Sequence, residues 1–232
     1  MALGSDRPGV TVIIPCHDEE ASIGPVVAGC RGALAAWPHE VLVVDDGSLD
    51  DTAARAVEAG ARVLRLSPNR GKGRALAAGV EAARHPVVVF LDGDGQDAPG
   101  DLPRLLDAFT GSVRMVIGSR FLGTLHPRSI HPLNRLANQA FSRLISVLFQ
   151  TRISDSQAGY RVVRRDDYLG LRAGASEYEI ETDVLLKALK AGWEVREVPV
   201  ERFPRAGSAT DFHRVRHGLR ILWTIIRERG TR

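Results

Sequence analysis

Short apolar blocks alternate with longer amphipathic stretches through the first half of the chain. Residues 10–14, 40–44, 62–66 and 87–91 are runs rich in Val, Ile and Leu, the pattern of strands covered on both faces. Residues 23–37, 51–59, 72–83 and 102–109 place apolar or Ala positions at helical spacing, with Ser48 or Asp50 available to cap the second of them. Residues 115–117 read as one more strand. Strand, helix and strand joined by short connections make right-handed βαβ units. The expected architecture is α/β, a Rossmann-like, mainly parallel central sheet with helices on both faces.

The second half is less regular. Residues 131–149 and 180–191 read as helices, and residues 159–163 and 194–200 as strands. Over residues 212–229, Phe212, Val215, Leu219, Leu222 and Ile226 recur at three- and four-residue spacing. On a helical wheel Arg216, Arg220 and Arg227 flank the apolar side of Phe212, Leu219, Trp223 and Ile226. Such a helix suits an anionic membrane surface, and docking on its own domain or at a homodimer interface is the competing expectation. With no repeat or linker in between, residues 1–210 are expected to form one domain and residues 211–232 a C-terminal amphipathic extension.

The polar clusters fall where the strands are expected to end, and open parallel sheets bind ligands beyond the carboxyl ends of their strands. After residues 87–91 come Asp92, Gly93, Asp94, Gly95 and Gln96. Two carboxylates one residue apart point to the same side of an extended chain. As hard oxygen ligands with positions to spare, they suit Mg²⁺ or Mn²⁺ holding a diphosphate. Pro15 is expected to stop the first strand, followed by Cys16, His17, Asp18, Glu19 and Glu20. Asp45 and Asp46 end the second strand and repel each other unless a donor binds them, as a base edge or a ribose would. Asn69, Arg70, Gly71, Lys72 and Gly73 make an anion-friendly turn that lacks the spacing of a P-loop.

At 232 residues with 44% hydrophobic and 25% charged positions, the chain is long enough for a substantial core. A net charge of +3 gives no argument for nucleic acid as a partner. The two cysteines, Cys16 and Cys30, have no metal-ligand spacing and suit a reduced, cytoplasmic setting. No run approaches the ~20 apolar residues of a membrane span, and residues 1–9 contain no signal-peptide core. Peripheral attachment to the inner face of the membrane is the remaining membrane role.

In order, Pro-x-x-Asp-Glu, Val-Asp-Asp-Gly-Ser-x-Asp, Asn-x-Gly-Lys-Gly and Asp-x-Asp-x-Gln follow successive strands. This series resembles the family 2 glycosyltransferases, whose nucleotide-sugar-binding fold is called GT-A. Within them it is most similar to the polyprenyl- and dolichyl-phosphate sugar synthases, over about residues 10 to 208. The resemblance implies that Pro15, His17 and Glu19 hold the nucleoside, with His17 where an aromatic residue is usual and Asp18 where Asn is usual. It assigns Val44 and Asp46 to the base and ribose, and Asp92, Gly93, Asp94 and Gln96 to the metal and diphosphate. Lys72, Arg120 of a Gly-Ser-Arg segment and Arg205 join the donor-binding set, and Arg135 is expected to bind the acceptor phosphate. Asp155 and Glu181 lie in acceptor-side segments. The late Arg-x-Gly-x-Ser-Lys motif is incomplete: Arg205 and Gly207 are present, but Ala209 and Thr210 stand for Ser and Lys.

The implied activity is inverting, metal-dependent transfer of a sugar from GDP-mannose or a UDP-hexose to a polyprenyl phosphate, with Asp94 central to catalysis. An anionic phosphate acceptor needs no strong general base, whereas a hydroxyl acceptor in natural-product or polysaccharide assembly would need Asp155 or Glu181 as one. A non-catalytic nucleotide-sugar-binding protein is the alternative outside enzymes. A nucleotidyltransferase would carry a basic, Gly-rich loop where residues 15–20 are acidic.

Overall fold

The computed structural model describes residues 7–172, 174, 179–205 and 214–230. The first half follows the expected alternation: β1 (Val10–Cys16), α1 (Ile23–Ala33), β2 (His39–Asp45), α2 (Thr52–Glu58), β3 (Arg62–Arg65), α3 (Lys72–Ala82), β4 (Val87–Phe90) and α4 (Leu102–Ala108). The second half comprises β5 (Val113–Leu125), α5 (Pro132–Phe149), β6 (Arg161–Arg164), α6 (Arg165–Gly170), α7 (Ile180–Lys190), β7 (Glu194–Arg202) and α8 (Arg214–Gly230). One seven-stranded sheet has the order β3-β2-β1-β4-β6-β5-β7. The strands β1 to β4 are parallel, as are β5 and β7, while β6 runs antiparallel to both its neighbours.

That one reversal matters for the site. Because β6 runs opposite to β4, the chain entering it, residues 155–160, lies at the same edge as the carboxyl ends of β1, β2 and β4. The end of β7 reaches that edge too, since β7 is parallel to β5. One sheet edge thereby collects chain segments from both halves of the sequence.

Two apolar layers cover the sheet. Val10, Val12, Ile14 and Cys16 face one cluster while Ile13 faces the other, the period-two alternation of a strand buried on both faces. Pro15 lies inside β1 instead of ending it. Residues 13 and 15 turn their backbone polar groups toward β4, and Leu91 makes the last bond there, to Ile13 O at 3.2 Å. The β1–β4 pairing ends at Ile13 and Phe90, so the missing N–H at Pro15 interrupts none of its pairs.

Three elements depart from expectation. The strand β5 has 13 residues because its second half pairs only with β7 and is largely exposed, so no apolar run announces it. The short α6 buries Tyr168 alone, too little for a periodic signal. The expected apolar stripe of α8 is not the side that docks: Thr224 and Ile225 are buried, whereas Leu222, Trp223 and Ile226 are exposed. Ile221, Leu222, Trp223, Ile225 and Ile226 make this helix apolar on more than one side, and packing against α5 and α7 selects the side. Phe212 lies outside the described residues, as do the side chains of Val215, Arg216 and Leu219.

Both cysteines are free and buried, and burial pushes the Cys30 thiol up to about 12. Among the described residues no helix is long and apolar enough to cross a membrane. Close packing of α3 on the sheet depends on Gly79, where an added Cβ would sit 2.5 Å from Ile13 Cγ2 and 3.1 Å from Val44 Cγ2. Neither neighbour can retreat, since both side chains belong to the buried cluster. Gly79→Ala is expected to destabilise the fold by about 1–3 kcal/mol through overpacking. Thermal denaturation should show this as a lowered Tm; an unchanged or raised Tm would disprove the tight-packing account.

Candidate active site

Adjacent turns at the carboxyl edge of the sheet fasten one another through backbone amides. Ser48 Oγ accepts from Asp18 N at 3.0 Å, Thr52 Oγ1 from Glu19 N at 2.8 Å, and Asp18 in return accepts from Leu49 N at 2.9 Å. Ser22 donates to Gly93 O at 2.8 Å, which ties the β1–α1 turn to the turn after β4. Gly93 is required there: a Cβ would lie 2.4 Å from Cys16 Sγ. Asp46 N donates to Cys16 O at 2.8 Å from the other side. The segments bearing Asp46 and Asp94 therefore flank one strand end, and the expected convergence of the motifs is met.

A set of buried charges lies beneath this rim. Lys72 Nζ stands 2.7 Å from Asp92 Oδ1 and 2.7 Å from Glu181 Oε1. Burial alone would lower the lysine pKa, but the two carboxylates outweigh it and hold the ammonium charged well above its usual range. Burial would likewise raise Asp92, yet Lys72 and Arg202 keep its carboxyl below the usual carboxylate range. Asp94 goes the other way. Burial dominates, Arg202 offsets part of it, Asp92 and Asp97 add repulsion, and the carboxyl is raised.

The partners explain the contrast. Arg202 donates to Asp97 Oδ1 and Gln96 Oε1, each at 2.7 Å, but approaches Asp94 Oδ2 only to 3.8 Å. Asp94 otherwise accepts the Gln96 amide at 3.0 Å. It is the least neutralised carboxylate of the group. Sequence reasoning missed Arg202: a strand-end arginine carries no sign of burial, and only the structure shows its head group sealed in with an Nε that lacks a partner.

Several of the expected site residues have partners within the chain. Asp155, a candidate base by sequence, is fully buried and accepts from Arg120 Nε and Nη2 at 2.7 Å each, from Arg120 N at 3.1 Å and from Asn138 Nδ2 at 2.8 Å. Burial is overcome by Arg120, which holds its pKa below the ordinary value. Arg120 is correspondingly paired with Asp155 through two side-chain bonds. Gln96 donates its amide nitrogen to Ser129 O and Phe203 O, at 3.2 and 3.0 Å, and its oxygen accepts from Arg202, so its side chain holds the turn.

The donor-side residues divide in the same way. Asp46 accepts from the amides of Arg70 and Gly71, at 2.9 and 2.7 Å. Its neighbour Asp45 holds Ser48 N and Arg65 Nε. Val44 is a core side chain with no exposure, so only its backbone could meet a base. Pro15 is half-buried, and His17 is exposed on the rim with Nε2 3.5 Å from Asp18. Glu19 pairs with Arg205 and accepts from Ser22 Oγ at 3.0 Å. Gly207, Ala209 and Thr210 lie outside the described residues. Arg135 is exposed on α5 with no ion pair among the described residues, and belongs to the rim and not to the charge cluster.

The sequence pattern of glycosyl transferase family 2 matches residues 11–170. Glycosyltransferase AglJ of Haloferax volcanii is 32% identical over 224 residues, covering 96% of this chain and 72% of the relative. Polyprenol monophosphomannose synthase of Mycolicibacterium smegmatis is 35% identical over 205 residues, covering 82% of this chain and 75% of the relative. A crystal structure of Mycobacterium tuberculosis glucosyl-3-phosphoglycerate synthase with Mn²⁺, uridine diphosphate and phosphoglyceric acid superposes with a TM-score of 0.76 at 22% identity, covering 96% of this chain and 79% of that one. That likeness gives the fold, which is GT-A. The chain belongs to glycosyl transferase family 2 and is a glycosyltransferase that uses a nucleotide-sugar donor.

Proposed function

We propose that this glycosyltransferase transfers a hexose, with inversion, from GDP-mannose or a UDP-hexose to a polyprenyl phosphate, and that a divalent cation assists. The observation that carries the reading is the engagement of both candidate bases. Asp155 is saturated by four donors and Glu181 is bound to Lys72 at 2.7 Å. A hydroxyl acceptor needs a carboxylate to take its proton, whereas a lipid phosphate arrives already ionised.

The residues fit a divalent cation. Asp94 offers a hard oxygen donor whose charge the protein leaves least compensated, and Asp92 lies two residues away. Among the described residues no three His, Cys, Asp or Glu side chains gather into a protein-only cage, so water and diphosphate oxygens would complete the shell, as Mg²⁺ accepts. When bound, the ion supplies charge to stabilise the departing diphosphate.

The chain's own residues do the rest. Asp94 orients the donor end of the cleft. Lys72 keeps Asp92 ionised and fixed. Arg202 and Arg205 are cations within reach of the same edge, available to negative charge that develops on the leaving group. Arg120, locked by Asp155, shapes the acceptor wall and adds positive potential without moving.

Sugar transfer measured by mass spectrometry, with a panel of nucleotide sugars and a short polyprenyl phosphate, should give one preferred donor and a glycosylated lipid phosphate. Transfer to hydroxyl acceptors alone would overturn the acceptor assignment. Chelation should abolish turnover and Mn²⁺ or Mg²⁺ restore it; full activity in a chelator would remove the metal from the reading. Asp94→Asn is expected to lower kcat by about 10²-fold or more, the scale of losing one electrostatic stabiliser, with little change in Tm. Asp155→Asn should act mainly on stability, by about 3–5 kcal/mol, because it strands the buried Arg120 charge. If Asp155→Asn instead kept its Tm and lost the basic limb of the pH–rate profile, Asp155 would be the base after all.

A further inference from the structure

A third aspartate, Asp97, follows Asp94 by three residues on the turn after β4. Its side chain is 3% exposed, against 16% for Asp94, and a carboxylate so enclosed is costly unless a cation meets it. Arg202 is that cation, with Nη1 2.7 Å from Asp97 Oδ1. The backbone fixes the encounter from both sides. Residue 97 forms an antiparallel bridge with residue 202, Phe203 N donates to Gln96 O at 2.7 Å, and His126 N donates to Arg202 O at 3.0 Å.

The same guanidinium faces a second carboxylate. Its Nη2 donates to Gln96 Oε1 at 2.7 Å and stands 3.8 Å from Asp94 Oδ2. A swing of about 1 Å would turn that gap into a charge-assisted hydrogen bond of ordinary length. Two of the three guanidinium nitrogens do little to prevent it. Nε is buried with no hydrogen-bond partner among the described residues, and Nη2 rests on a neutral amide oxygen. The charged anchor is Asp97, at Nη1. Asp94 accepts from the neutral Gln96 amide, so the arginine would be a stronger partner for it. Lys72, the other buried cation nearby, is engaged by Asp92 and Glu181.

We propose that Asp97 is a positioning residue: by claiming Arg202 it keeps that cation off Asp94 and leaves Asp94 able to take a divalent ion. A guanidinium and a metal ion compete for one carboxylate, and the strength of the Asp97 pair sets the outcome. Burial biases the competition, because Asp97 is the more enclosed of the two aspartates and its attraction for Arg202 is the less screened. Asp97 thus acts through Arg202 and not as a metal ligand. This deepens the metal reading above and rests on it, adding the residue that governs how tightly the ion is held.

The test is Mn²⁺ binding to the full chain, alone and with inorganic diphosphate, followed by the electron paramagnetic resonance signal of the free ion. Asp97→Asn keeps the side-chain volume and removes the charge. It should release Arg202 toward Asp94 and raise the Mn²⁺ dissociation constant about tenfold, or about 1.4 kcal/mol. Arg202→Gln removes the competitor and should bind Mn²⁺ at least as tightly as the wild type. Added to Arg202→Gln, Asp97→Asn should change affinity by about twofold or less, because its effect runs through Arg202. An equal loss in both backgrounds would show Asp97 acting by its charge alone and overturn the proposal. Equal affinity of Asp97→Asn and wild type, or weaker binding by Arg202→Gln, would overturn it too, and the second result decides even where Asp97→Asn does not fold. No Mn²⁺ bound by the wild type under either condition would instead refute the metal reading itself, and this proposal with it.

Discussion

One buried ammonium decides how the cleft is held together. Lys72 opens α3, Asp92 follows β4 and Glu181 lies in the first turn of α7, and all three meet within 2.7 Å contacts. Without Lys72 two carboxylates would be left in a site that excludes most water, a loss of several kcal/mol in comparable buried pairs. Gly159 is the matching concession from the loop before β6, since its position lies 3.2 Å from Asp92 Oδ2 when a Cβ is added. The bridge also sets the roles of the two aspartates. Asp92 is neutralised from within, and under the proposed reaction Asp94 is the carboxylate that would take a cation from outside.

A second, largely buried polar network lies beside it, in the loop before β6. Asp155 joins Arg120 to Asn138, and Ser142 links Asn138 to Ser156 at 3.2 and 3.1 Å. From below, Glu197 of β7 accepts from Ser154 N and Asp155 N, and burial raises its pKa. Arg161 closes the loop by donating to Ala158 O, Glu181 O and Ser156 O. Nearly every buried polar atom here has a partner, the condition under which such a network rigidifies a site instead of weakening it. One consequence is that α5 sits on the same frame as the cleft wall.

The sheet was legible because each parallel strand announced itself by a local apolar run and each turn by Gly and Asp. The antiparallel direction of β6 was not, because it depends on a partner far away in sequence. The positions of Asp92, Asp94, Lys72 and Glu19 at one edge followed from strand ends, whereas Glu181 entered only through the family resemblance. Their partners did not follow. Nothing local shows that Asp46 is held by the amides of residues 70 and 71. Burial hides partners in the same way: nothing in the sequence shows that four donors converge on Asp155. In α8, hydrophobic spacing revealed a helix but not which of its apolar sides would be covered.

Pairing inside the cleft bears on how a diphosphate would enter it. Arg205 is engaged by Glu19, Arg202 by Asp97 and Gln96, and Lys72 by Asp92 and Glu181. These cations have already left bulk water, so much of their desolvation cost falls on folding and not on donor binding. Under the proposed reaction, an arriving diphosphate would exchange partners instead of stripping hydration from free arginines. The exchange has a natural order. Glu19 is partly open and Arg205 closes over it from beyond β7, whereas Lys72 is locked on both sides. Arg205 is therefore the cation that can change partners at least cost, and Lys72 the one that stays. With Ser and Lys absent from the positions after Gly207, this leaves Arg205, and Arg202 behind it, as the positive charge on which leaving-group stabilisation from this side of the cleft would rest.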